Sequence, residues 1–170
     1  MRLFSLILFT LLSLNAGGIL PIDWSKVNST QQQKASIPYP KKLIEGIKDV
    51  RLPVYLSSSY VYDKSIMIVA DKGFYSISFV LNGATLLFEG DRTYQEAVSP
   101  KNPEFQKIVQ KRRAVEISQS EGIMMAEFNR HGANYAISVE CEKPKTDKRC
   151  TDEEFIRTLY AKLTMVGGRP

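Results

Sequence analysis

The chain has 170 residues, of which 44% are hydrophobic and 24% charged, a balance that excludes wholesale disorder and suits one domain with a sizeable core. Its formal net charge of +5 is mildly basic. That favours loose contact with anionic polymers or membrane surfaces without specifying either, and a solvated basic surface accounts for it as well.

Arg2, the apolar stretch over residues 3–14 and the small residues Ala16, Gly17 and Gly18 have the three-part layout of an export signal, so residues 1–18 are expected to be a cleavable signal peptide. Retention as an anchor is the alternative, because residues 3–22 approach the roughly 20 residues that span a bilayer. Ser5, Thr10, Ser13, Asn15 and Pro21 interrupt that stretch, and no transmembrane span is expected in the mature chain. Loss of Arg2 leaves the mature chain at about +4. The cleavage region holds no cysteine, so lipid attachment there is excluded. Export, to the periplasm or outside the cell, would place the two cysteines where disulfides persist.

Residues 19–40 read as a polar linker or N-terminal arm, with Asn28-Ser29-Thr30, three consecutive glutamines from Gln31, and Pro38 and Pro40. The Asn28 tripeptide fits an N-glycosylation acceptor, which has meaning only in a eukaryotic secretory pathway. Residues 41–170 are expected to form a single domain. It opens with a short helix over 41–48, where Leu43, Ile44 and Ile47 recur at helical spacing ahead of Pro53.

The centre reads as strands. Residues 73–81 and 84–90 flank Asn82-Gly83, a hairpin signal in which a type I′ turn requires positive φ at both central residues. A two-residue loop sets Leu81 opposite Ala84, Phe79 opposite Leu86 and Ile77 opposite Phe88 on one apolar face. Ser76 with Glu89 and Ser78 with Leu87 fall on the other, as in a sheet with one buried side. Residues 66–70 precede this pair as a third strand. After a long connection over 91–112, with a short helix near 105–109, a second meander spans 113–141. Turns at Glu121-Gly122 and His131-Gly132 align Ile117, Ala126 and Ile137, and likewise Phe128 with Tyr135.

The last element is an amphipathic helix. Thr151 and Glu154 fit a capping box, Phe155, Ile156, Leu159, Tyr160 and Leu163 form one stripe, and Gly167-Gly168 ends it. The expected fold class is therefore α+β: a two-layer domain with an antiparallel meander sheet of about six strands and the C-terminal helix packed on one face.

Cys141 ends the last strand and Cys150 precedes the helix, so a structural disulfide between them would clamp the two layers. A redox pair usually has Cys-x-x-Cys spacing, which is absent. Two cysteines and one distant histidine do not make a metal site, and no cofactor is expected. Within the bridged loop, Lys143, Lys145, Lys148 and Arg149 could present cations to phosphates or acidic partners, or simply be solvated. Lys107, Lys111, Arg112 and Arg113 form a second basic cluster without interleaved aromatics, so no specific nucleic-acid motif is present. His131 is the sole histidine; it is a general acid-base candidate by chemistry and an exposed turn residue by position. Tyr60 and Tyr62, beside Ser57-Ser58-Ser59 and Asp63, suit sugar or peptide recognition, or packing over a sheet edge.

No catalytic motif stands out. The chain is expected to be an exported, non-catalytic binding or envelope-accessory protein, whose partner is another envelope protein or an anionic polymer. One alternative is a small secreted or periplasmic hydrolase combining residues 57–59, Asp63 or Asp91, and His131. The other is a regulator or inhibitor of an exported enzyme, inserting the basic loop into an acidic cleft.

Overall fold

Alternation of apolar and polar side chains dictates a sheet with one buried face, and a computed structural model of the protein shows it. The structure describes residues 18–30, 38–94, 103 and 115–170. In chain order these hold β1 (Gly18–Ile19), α1 (Trp24–Thr30), α2 (Lys41–Gly46), β2 (Val54–Ser57), β3 (Met67–Asp71), β4 (Phe74–Leu81), β5 (Ala84–Asp91) and β6 (Thr93–Tyr94). There follow β7 (Glu116–Ser120), β8 (Ile123–Arg130), β9 (Ala133–Cys141), α3 (Lys148–Thr151), α4 (Glu153–Ala161) and β10 (Leu163–Gly167). The signal peptide, the glutamine run, the short helix near 105–109 and the Lys107 to Arg113 cluster lie outside the described residues. No helix among the described residues is long and apolar enough to cross a membrane.

The main sheet has six antiparallel strands in the order β3-β4-β5-β9-β8-β7. Each meander is local, and the two join where β5 pairs with β9, from Ala84 opposite Cys141 to Asp91 opposite Asn134. The hairpin registers are those the sequence implies, with Ile77 opposite Phe88 and Ile137 opposite Ala126. Glu121-Gly122 and His131-Gly132 have positive φ at both central residues. At Asn82-Gly83 only Gly83 does, so that turn is not the type I′ expected. Its central peptide presents the Asn82 carbonyl to Arg149, whose Nη2 donates to it at 2.9 Å.

Tyr75, Ile77, Phe79, Leu86, Phe88, Ala126, Ile137 and Val139 form the buried face. Burying such side chains is worth about 1.5–3 kcal/mol each. Ile156 and Leu159 of α4, Leu43 of α2, and Val54 and Leu56 of β2 complete the second layer and the core. This is the α+β arrangement expected, with the C-terminal helix against β8 and β9.

Two details at the C-terminus differ from expectation. Asp152, rather than Thr151, caps α4, its carboxylate accepting from the Glu154 amide at 2.9 Å. Thr151 is already spent on the preceding turn, its hydroxyl donating to the Asp147 carbonyl at 3.1 Å. The helix stops at Ala161 rather than at the glycine pair, and Leu163–Gly167 forms a strand paired with β2 in a separate two-stranded sheet. The polar arm is tied down at its start. β1 pairs with β6, the Leu20 amide donates to the Arg92 carbonyl at 2.7 Å, and the Asp23 amide donates to the His131 carbonyl at 3.1 Å.

Candidate functional site

The disulfide joins Cys141 at the end of β9 to Cys150 in α3, with the Cα atoms 6.3 Å apart. Both cysteines are buried. The loop it closes is docked rather than free-standing. A Cβ at Gly122 would overlap Pro144, so the loop packs on the β7–β8 turn.

Of the four cations predicted there, Arg149 is structural. Its guanidinium lies on the Asp147 carboxylate, with Nε 2.9 Å from Oδ1, and this contact holds the Asp147 carboxyl down at about 2. The same carboxylate accepts from the Arg149 amide and so caps α3. Lys143, Lys145 and Lys148 remain as exposed cations.

Tyr60 and Tyr62 divide. The Tyr60 ring is half-buried 5.4 Å from that of Phe79, and burial pushes its hydroxyl up. Tyr62 is exposed, 6.3 Å from Tyr39.

His131 sits in the β8–β9 turn with φ of 54°. Burial, then neighbouring Arg130, lowers its pKa below 6.5. Of the residues of the hydrolase alternative, Ser58 and Ser59 are exposed, while Ser57 is hidden and Asp63 and Asp91 are engaged locally. Ser57 is fully buried, and its hydroxyl meets no hydrogen-bond partner among the described residues. The Asp63 carboxylate accepts from the Ser65 amide and hydroxyl, both at 2.7 Å, and Asp91 accepts from the Thr93 amide at 2.6 Å. His131 forms no side-chain hydrogen bond to a serine or carboxylate among the described residues. It lies at the opposite end of β9 from the disulfide loop, roughly 27 Å away along the strand.

Inside the sheet, Arg130 stacks on aromatics. Its guanidinium carbon is 4.9 Å from the Tyr55 ring centre, 5.3 Å from Phe128 and 5.9 Å from Tyr160. Tyr135 stacks on Phe128 at 5.3 Å, and its buried hydroxyl meets no hydrogen-bond partner among the described residues.

The outward face of the main sheet carries acidic side chains that no motif in the sequence singles out. Cross-strand pairing places Ser76, Glu89, Ala136, Glu127 and Glu116 in one row. Phe74, Asp91, Asn134 and Asn129 form the row beside it. Ser78, Leu87, Ser138 and Met125 lie on the row's other flank. Val69, Val80 and Met67 of this face are 65%, 60% and 50% exposed.

The face carries Asp71, Glu89, Asp91, Glu116, Glu127 and Glu140, and no lysine or arginine occupies an outward position on its strands. Glu116 stands directly opposite Glu127, a like-charge pair that destabilises a sheet. The ion pairs among the described residues, Lys26–Asp23, Arg149–Asp147, Arg157–Glu153 and Arg169–Asp49, all lie elsewhere.

Ala136 leaves a gap between the two flanking glutamates. The result is an open hollow of about 290 Å³ lined by Phe74, Glu89, Asp91, Glu127, Asn134 and Ala136. No cluster of histidine, cysteine or carboxylates among the described residues is arranged to hold a metal ion.

Compared with known proteins, the chain matches no family model, no curated protein and no solved structure.

Proposed function

We propose that this is an exported, non-catalytic binding or envelope-accessory protein that engages its partner through the outward face of the six-stranded sheet. The outward face, which no helix among the described residues covers, carries this reading. The helical layer occupies one side of the sheet, while Met67, Val69 and Val80 stand at least half bare on the other. A face of that kind, interrupted by a hollow with converging polar groups, has the makings of a recognition surface. The burial of Ser57, the local hydrogen bonds of Asp63 and Asp91, and the lack of a serine or carboxylate bonded to His131 among the described residues favour binding over hydrolysis. The leader and the Cys141–Cys150 bridge are compatible with export.

A photo-activatable residue placed at Val69 or Val80, and separately at Lys145, tests the reading in the native cell. Adducts at the two valines with none at Lys145 are expected. Adducts at Lys145 alone would instead select the inhibitor-like use of the basic loop. Cell fractionation, with the mature N-terminus read by mass spectrometry, checks export; an intact cytoplasmic chain would refute it.

A further inference from the structure

We infer that the hollow between Glu89 and Glu127 seats an arginine or lysine side chain, so that the partner of the outward face is a basic polypeptide segment. The inference rests on the reading of that face as the binding surface. Glu89 and Glu127 lie on the strands either side of Ala136, each about 4.8 Å away, which sets their Cα atoms about 10 Å apart. That spacing leaves a flat guanidinium or an ammonium room between two carboxylates, each able to accept a charge-assisted hydrogen bond.

Phe74 walls the hollow beside Asp91 and offers a ring to a cation. Ala136 forms a small floor, and Leu87 and Met125 in the next row are half-buried, an apolar track for the aliphatic stem of a long cationic side chain. A metal ion would need convergent ligands that the described residues do not supply. The opposed pair Glu116 and Glu127 points the same way: it is uncompensated within the described chain, and a bound cation would relieve it. The face thus reads differently from the rest of a chain whose net charge is +5. It selects partners of the sign the whole molecule repels.

The test is binding of a fluorescent nine-arginine peptide to the full chain by anisotropy, at two salt concentrations. Glu89→Gln with Glu127→Gln should weaken binding about tenfold or more, and raising salt should weaken wild-type binding. Glu45→Gln with Glu154→Gln removes the same charge from exposed sites off the face and should change affinity less than twofold. Thermal melts of both double variants confirm that each is folded. Equal losses in the two double variants, or no binding by the wild type, would overturn the inference.

Carbodiimide cross-linking of the free protein guards against two other occupants. An intramolecular link from Glu89 or Glu127 to Lys107 or Lys111 would assign the face to the chain's own basic cluster and overturn the inference. So would an intermolecular link to Lys143, Lys145 or Lys148, which would assign it to a second copy. Valine adducts in the cell without arginine-peptide binding would sink the cationic partner and leave the binding face standing. Absence of both would sink the two together.

Discussion

Replacing Cys141 and Cys150 together by serine should cost about 2.6 kcal/mol of stability. The bridge closes a sequence separation of 9 residues. The chain-entropy relation for so short a loop gives about 2.6 kcal/mol at 25 °C, all of it acting on the unfolded chain. Packing should add little. Cys150 Sγ lies 3.3 Å from the Val139 carbonyl oxygen, so a serine hydroxyl there has an acceptor within reach instead of being stranded. For a chain of this size each kcal/mol moves Tm by about 2–4 °C, so the midpoint should fall by about 5–10 °C. Urea denaturation of the oxidised wild type, the reduced wild type and the double-serine variant measures the difference directly. The two thiol-free or reduced forms should agree within about 1 kcal/mol of each other. A double-serine variant within about 0.5 kcal/mol of the oxidised protein would refute the argument, because a loss that small lies outside what loop closure predicts.

Three further outcomes are expected. Tyr135→Phe deletes a buried hydroxyl that meets no partner among the described residues and should stabilise the fold by about 1 kcal/mol, read as a higher urea midpoint; a loss would mean the hydroxyl is satisfied in solution. Gly90→Ala would drive a methyl into the Tyr75 and Tyr135 rings and should destabilise by about 1–3 kcal/mol; a neutral result would show that the rings yield freely. His131 has its folded pKa lowered below the ordinary 6.5, so the unfolded chain binds the proton more readily and stability should decline as pH drops from about 7 through that value. Asp23 and Asp147, held at about 2, keep their contributions until pH falls below about 4, outside that window. Asparagine tolerates a φ of 54°, so His131→Asn should keep the turn and flatten the difference between urea midpoints at pH 7.5 and about 5.5; an unchanged difference would remove His131 as the cause.

Both meanders were legible because everything that sets them is local. Two-residue turns fix register, and a one-residue slip at Ile77 or Ile137 would turn an apolar row to solvent. The helix start was displaced by one residue because Thr151 and Asp152 are both good caps, and only the earlier cap at Asp147 shows that Thr151 belongs to the turn before. The pair β2 and β10 escaped for the opposite reason. Ser57 meets Leu163 across a long stretch of chain, and Val54–Ser57 is buried at every position, so no alternation marks it. The acidic hollow fell between these cases. Glu89 and Glu127 could each be assigned outward from its own hairpin, yet their convergence over Ala136 required knowing that β5 lies beside β9.

That junction has a consequence for how the molecule assembles. Each hairpin joins neighbours such as Leu81 with Ala84 and Arg130 with Ala133, contacts that form on the microsecond scale, whereas the β5–β9 seam joins Ala84 to Cys141 and must wait for a long closure. Glu89 belongs to the first hairpin and Glu127 to the second, so neither meander alone contains the hollow. A cation held by both glutamates would straddle a seam that neither hairpin contains. It would act as a clasp recognising only the finished sheet, and its free energy of binding would add directly to the cost of opening that seam.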